Sequence, residues 1–231
     1  MPFPILAIDT CLGAVSAALA WREGDGGTRV ASDWETCRGG HAERLMPMIA
    51  MLLAEAGLSG RDVRRIAVTL GPGTFTGVRT GIAAARGLAL ACGAEIVGES
   101  SLAVIAAGLD DGDDTGIAVA VDARKGDVFL QLFANARQAT TEPLLLPVAE
   151  AAARLAGRRW RIVGSAAEHL ADCAVKLGAG VVDVLSSVEP DAASLLALAP
   201  SLTPLAAVTP LYLRAPDAVP QAGKAVPRAG P

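Results

Sequence analysis

The sequence predicts an α/β fold with mixed sheets in two related halves, and three observations carry that prediction. Short apolar segments separated by turns open the chain; the apolar spacing then switches to a helical period; and the second half repeats that order loosely. A strand, a glycine-rich turn and a long apolar helix follow one another from Ala67 to Ala91, in "AVTLGPGTFTGVRTGIAAARGLALA". That succession is the usual arrangement for holding a phosphate. The pattern here is neither GxxxxGK[ST] nor GxGxxG, and no lysine lies close enough to reach a phosphate.

Taken in order, Ile5 to Asp9 is an apolar run ending in an acid. "AVSAALAW" (Ala14 to Trp21) and "TRVASDWE" (Thr28 to Glu35) follow, with "REGDGG" between them as a hairpin turn, giving three antiparallel strands. In "HAERLMPMIAMLLAEAGLS", Leu45, Met48, Ile49, Leu52 and Ala56 fall at helical spacing and Gly57 is a natural stop. Pro47 is tolerable if this helix begins near Glu43. Ile66 to Leu70 is a buried strand, Val78 to Cys92 a second helix and "EIVG" a closing strand. In the second half "GIAVAVDA" and "DVFLQLFA" are strands joined by "RKG". Helices near Val148–Ala156 and Ala166–Leu177 flank the strand "RIVG", and a last helix covers Asp191 to Leu198. From Ala215 onward the Pro/Gly/Ala-rich sequence lacks periodicity and is expected to be disordered. The predicted units are 1–104, 105–214 and the tail 215–231, with the last helix free to pack back on the first lobe.

An apolar fraction of 52% and a mean hydropathy of +0.43 argue for a buried core. Aromatics are only 3%, so Ala, Leu, Val and Ile must build it. The most apolar helix is interrupted by Arg86 and too short for a bilayer. "MPFPILAIDT" carries no basic region ahead of its apolar run, so it does not read as a signal peptide, and the expected location is the cytoplasm. Cys11, Cys37, Cys92 and Cys173 form no CxxC and read as reduced, packed thiols. The histidines, His41 and His169, cannot make a histidine-rich metal site by themselves. A net charge of −4 gives no general attraction for nucleic acid, and "RDVRR" (Arg61 to Arg65) and "RRWR" (Arg158 to Arg161) read as solvated faces.

Two features carry chemistry or contact. Asp9 and Thr10 end the first strand at a tight turn, which suits either a metal-bound phosphate or plain turn capping. From Leu45 to Ala54 the first helix has no charged residue, so one side faces a core and the other either the same core or a partner. Met46, Met48 and Met51 suit an adaptable interface. On the second helix Gly77, Gly81 and Ala85 make one smooth face, and Ala83, Gly87 and Ala91 another. Glycine inside a helix costs roughly 0.5–1 kcal/mol relative to alanine, a cost that close backbone approach explains. The expected partner face is Leu45, Met46, Met48, Ile49, Met51, Leu52, Gly81, Ala84, Ala85 and Leu88, pairing with like helices as a four-helix bundle. Arg79, on the first turn, is disfavoured by the helix dipole. It reads either as a solvent-facing side chain or as one paired with a carboxylate, on Glu43 or on a partner.

"ILAIDT", "HAERLMPMI", "IAVTLGPGTFTGVRTGIAAARGLA", "DARKGDVF" and "TPLYLRAP", in that order, resemble the TsaB (YeaZ) family over about residues 4–216. The resemblance implies the two-lobed actin-like/sugar-kinase/heat-shock-ATPase (ASKHA) fold, built on RNase H-like halves. It implies a role in forming N6-threonylcarbamoyladenosine in tRNA, as a non-catalytic subunit that binds a TsaD-type transferase, with a TsaE-type ATPase joining. TsaD-like chains carry an HxxxH metal pair after the equivalent loop, helix and strand. Ser101 and Ile105 occupy those places in "EIVGESSLAVIA", and neither replaces an imidazole. No metal and no resident cofactor are therefore expected. Weak ATP or ADP binding is expected at most, at a vestigial site of Asp9, Thr10, Gly71, Gly73, Thr74, Gly77 and Asp122. A small-molecule kinase or ATPase of the same superfamily is the alternative, and a glycoprotease-like peptidase a weaker one, with no GxSxG or Cys–His arrangement to support it.

Overall fold

The computed structural model describes residues 3–24, 26–37, 39–110 and 115–214. The predicted tail, 215–231, lies outside them. The first lobe is built from β1 (Ile5–Asp9), β2 (Ala14–Arg22), β3 (Thr28–Thr36), α1 (His41–Glu55), β4 (Arg65–Thr69), α2 (Phe75–Cys92) and β5 (Glu95–Glu99). Its strand order is β3-β2-β1-β4-β5, with β1 antiparallel to β2 and parallel to β4. This is the mixed RNase H-like sheet that the resemblance implied.

After α3 (Ser101–Ala107) the second lobe runs through β6 (Gly116–Asp122), β7 (Asp127–Asn135), β8 (Gln138–Ala139), β9 (Leu144–Pro147), α4 (Val148–Ala153), β10 (Arg159–Val163), α5 (Ala167–Lys176) and β11 (Gly180–Leu185). Its order is β11-β10-β6-β7-β8, with β9 also on β7. In both sheets a central strand has an antiparallel neighbour on one side and two parallel strands on the other. The halves thus share one plan. Gly71 after β4 (φ +98°) and Gly164 after β10 (φ +108°) turn the chain in the left-handed region at matching places.

α1 and α2 lie on one face of the first sheet, where Leu45, Met48, Ile49, Leu52, Val78, Ile82 and Ala85 pack against Leu6, Ile8, Val15 and Val68. The opposite face is covered by α6 (Ala192–Leu198), whose Ala192, Leu195 and Leu196 meet Ile5, Ala7 and Ala67. α3 instead packs Leu102 and Ile105 on Ile117, Val119 and Phe129 of the second sheet. The two helices are therefore exchanged between lobes. A boundary at 104/105 would cut α3, and the second lobe does not run to 214: α6 and the segment after it return to the first. Leu205 N–H donates to the Ile96 carbonyl at 2.8 Å and Leu211 N–H to the Leu70 carbonyl at 2.7 Å.

Two boundaries and one residue's placement differ from expectation. α1 begins at His41, so Pro47 is its seventh residue and stands on the exposed side, beyond the first turn. α2 begins at Phe75 because the Thr74 side chain accepts the Gly77 N–H at 3.1 Å as the N-cap. Arg65 is not a solvated face: it is buried, meets its cross-strand neighbour Glu95 at 2.6 Å and donates to the Ala199 carbonyl at 2.7 Å.

Candidate functional site

The β1–β2 turn and the GPGTFTG loop are locked together. Thr74 N–H donates to the Cys11 carbonyl at 2.8 Å, and the Thr10 hydroxyl donates to the Gly77 carbonyl at 2.7 Å. A Cβ on Gly73 would collide with the Cys11 carbonyl, and one on Gly77 with the Thr10 carbonyl. On Gly81 it would lie 2.7 Å from the Thr10 hydroxyl. These glycines admit protein backbone and the Thr10 side chain, in the position where a phosphate loop admits its ligand.

Asp9 lies beneath this junction, fully buried. Its Oδ1 accepts from the Thr69 hydroxyl and from Cys11 N–H at 3.3 Å, while Oδ2 has no hydrogen-bond partner. Burial pushes its carboxyl up from 3.8 to about 7; the Thr69 and Cys11 bonds pull it down, and Glu189 adds a smaller upward push. The Cys11 thiol, donating to Thr69 Oγ1 at 3.1 Å, is also pushed up by burial, which makes it a packed thiol rather than a nucleophile.

Above the junction an open cleft of about 1190 Å³ lies between the lobes. Gly73, Thr74 and Asp122 line it; Asp9, Thr10, Gly71 and Gly77 do not, being buried below. The proposed vestigial set is thus split by a layer of protein. Asp122 sits at the end of β6 and its Oδ1 accepts from Arg124 N–H at 2.8 Å. Arg124 and Lys125 both adopt left-handed backbone (φ 64° and 58°), which holds the hairpin corner tight at the cleft mouth. Sequence reasoning missed Glu189, which accepts the Gly13 N–H at 2.9 Å across the lobes. It also missed the C-terminal wall of the cleft, Leu211 to Arg214, where Arg214 meets Asp127 at 2.6 Å. The alternation of Leu211 and Leu213 was the available signal for that wall.

Ser101 and Ile105 occupy the first and fifth positions of α3. The Ser101 hydroxyl donates to the Pro72 carbonyl at 2.5 Å, and Ile105 is buried in the interlobe core. Where a ligand pair would stand, one residue braces the glycine loop and the other packs. Among the described residues no group of three or more His, Cys, Asp or Glu could hold a metal ion.

The expected partner face needs correction. Leu45, Met48, Ile49, Leu52, Gly81 and Ala85 are buried in the chain's own core, and Ala84 and Leu88 are half-buried against it. The reason is shared: the stripe carrying Val78 and Ile82 is the bulky one, and it carries its smooth neighbours inward with it. Exposed are Met46, Pro47, Ala50, Met51 and Ala54 on α1, and Ala83, Gly87, Leu90 and Ala91 on α2. Of the ten residues expected, only Met46 and Met51 face outward. Leu90, 89% exposed, belongs to this face and was not foreseen.

A family model described as "TsaD: tRNA N6-adenosine threonylcarbamoyltransferase" matches residues 35–199, well over half of the chain. The Escherichia coli protein named tRNA threonylcarbamoyladenosine biosynthesis protein TsaB is 40% identical over 126 residues, a match spanning 54% of this chain and 52% of that protein. An uncharacterised Mycobacterium tuberculosis protein is 34% identical over 220 residues, covering 94% of this chain and 95% of its own length. The solved structure of YeaZ from Pseudomonas aeruginosa superposes with a TM-score of 0.76 at 29% identity, covering 91% of this chain and 99% of that one.

The chain belongs to the TsaB (YeaZ) family.

Within this TsaB-family chain the motifs divide by task. GPGTFTG and the Thr10–Cys11 turn fasten α2 to the first sheet, and DARKGDVF forms the β6–β7 corner. The PLYLR segment closes one side of the cleft. Among the described residues no helix is long and apolar enough to cross a membrane.

Proposed function

We propose that this chain is the non-catalytic partner subunit of the machinery that forms N6-threonylcarbamoyladenosine in tRNAs reading codons that start with A. In this reading it works in the cytoplasm and docks on a TsaD-type transferase, which it supports together with a TsaE-type ATPase. It reaches tRNA only through that complex. The observation that carries the reading is the exposed apolar face of α1 and α2, on a chain of the TsaB family whose α3 has Ser101 and Ile105 in place of ligands. Met46 and Met51 are 46% and 56% exposed and Leu90 is 89% exposed, and the small residues Ala83 and Gly87 let a second helix pair approach closely. A second copy of the chain could use the same face when the paralogue is absent.

Met51→Asp and Leu90→Glu should each weaken co-purification with the TsaD-type paralogue by at least about 30-fold, since a charge would be buried unpaired. Their melting should match the parent, because both side chains are exposed. Wild-type affinity in both variants would sink the reading.

In the same reading, weak ATP or ADP binding is assigned to the cleft that Gly73, Thr74 and Asp122 line. With no metal set among the described residues and the loop glycines filled by the Thr10–Cys11 turn, the chain alone should not turn over ATP. A steady-state assay giving on the order of 1 turnover per second or more would favour the kinase or ATPase reading instead.

A further inference from the structure

Arg79 is held in place but is not paired. Its guanidinium carbon lies 3.6 Å from the Phe75 ring centroid, and Nε donates to the Tyr212 hydroxyl at 2.7 Å. Phe75 and Tyr212 stack on each other with centroids 5.9 Å apart and planes 18° apart, although both remain about half exposed. Tyr212 is fixed in turn by its neighbour, since Leu211 N–H bonds to Leu70. Among the described residues no carboxylate lies within ion-pair distance of Arg79. Glu43, the intrachain candidate, is not its partner: no ion pair among the described residues joins the two. The first turn of α2 carries no acidic residue either, so the helix N-terminus and the guanidinium add to one uncompensated positive spot.

We propose that Arg79 is the receptor for a carboxylate on the chain that docks on the α1/α2 face, an inference that rests on the docking reading above. Thr76, Arg79, Ala83, Gly87 and Leu90 are all exposed at helical spacing, so the Arg79 fork and the apolar patch share one stripe. Eleven residues separate Arg79 from Leu90, about 16 Å at 1.5 Å per residue, a span one partner helix covers in three turns. With Nε occupied by Tyr212, the two terminal nitrogens remain free for an end-on, bidentate carboxylate. Stacking on Phe75 fixes the guanidinium plane in advance, so little side-chain freedom is lost on pairing. Two arginines, Arg79 and Arg86, beside an apolar stripe on a chain of net charge −4 suit a protein surface; a polynucleotide would call for a broad basic field. Arginine and tyrosine at the margin of a small-residue patch are also the residue types that dominate binding energy at interfaces.

The test uses the full chain and the TsaD-type paralogue encoded in the same genome, with affinity measured by calorimetry at low and high salt. Arg79→Glu should weaken binding roughly 100-fold and Arg79→Lys about tenfold, because lysine keeps the charge and loses the fork. Tyr212→Phe removes only the anchoring hydroxyl and should fall between wild type and Arg79→Lys. Arg79→Gln should bind with a shallower salt dependence than wild type. Changing the facing partner carboxylate to lysine should restore binding to Arg79→Glu. If Leu90→Glu abolishes binding while Arg79→Glu and Arg79→Gln bind as wild type, the carboxylate receptor is wrong and the docking face stands. If all three bind as wild type, or the wild-type chain itself does not bind, the docking reading fails and this inference fails with it.

Discussion

Gly77→Ala should unfold this protein more readily than alanine at either other glycine of α2, Gly81 or Gly87. The new Cβ would meet the Thr10 carbonyl and lie 2.5 Å from Thr74 Oγ1, so the obstacle is largely backbone and cannot rotate away. Relief requires parting α2 from the β1–β2 turn. That movement loosens the Thr10 hydroxyl bond to the Gly77 carbonyl and the N-cap bond from Gly77 N–H to Thr74. Overpacking costs about 1–3 kcal/mol and a lost cap about 0.5–2, so a loss of about 1.5–5 kcal/mol is expected. Against a total stability of about 5–15 kcal/mol that is a large share. With a urea slope of about 2 kcal/mol per molar, the unfolding midpoint should fall by about 0.8–2.5 M. Gly87→Ala is the control: nothing lies within 4 Å of its Cβ, the site is exposed, and alanine should raise stability by about 0.5–1 kcal/mol. Equal midpoints for Gly77→Ala and wild type would show that the turn and the loop are not in contact in solution.

That contrast also marks what could be read in the sequence. Alternation and turn residues disclosed β1 to β3, and the strand–glycine–helix succession disclosed β4 and α2 within three residues. What stayed hidden was which side of α2 faces in, because Gly77–Gly81–Ala85 and Ala83–Gly87–Ala91 are equally small. Val78 and Ile82, one residue along from Gly77 and Gly81, mark the inward side, and their bulk could have settled the question. On α1, Leu45, Met48, Ile49 and Leu52 were recognised as one helical stripe, but an uncharged run does not say where the core ends and a partner begins. The 3.6-residue period assigns Met46 and Met51 to the other side. The return of the last helix to the first lobe was open in the sequence, but its exchange with α3 was not legible, because the α6–β1 contact joins opposite ends of the described chain. β8, β9 and β11 were missed for a local reason: two are very short, and β11 is an edge strand with a broken apolar pattern. The Arg79–Phe75–Tyr212 cluster joins residues 133 positions apart through the returning C-terminal segment, so the sequence showed a misplaced cation but not what holds it.

Asp9 should make stability fall as the pH rises through neutrality. Its folded-state value, about 7, stands above the ordinary 3.8, so the folded chain holds this proton more tightly than the unfolded one. The favourable contribution is complete below about pH 4, declines between pH 4 and 7, and is gone above. About three pH units at 1.36 kcal/mol each amount to roughly 4 kcal/mol, an order-of-magnitude figure for a carboxylate with Oδ2 unpartnered. Asp9→Asn removes the titration while its side-chain oxygen can still accept from Thr69 and Cys11. Its amide N–H group, in the place of Oδ2, would be buried without an acceptor, at a cost of about 1–3 kcal/mol. The variant should therefore be less stable than wild type by about 1–3 kcal/mol at pH 4. At pH 8 it should be more stable by a similar amount, and the two stability curves should cross between. For a chain of this size each kcal/mol moves the melting temperature by about 2–4 °C, so paired melts at several pH values resolve the crossing. Other carboxylates shift both proteins alike, which leaves the difference between the curves to Asp9. Parallel curves would mean that Asp9 titrates alike in the folded and the unfolded chain, and the predicted pH dependence would be wrong.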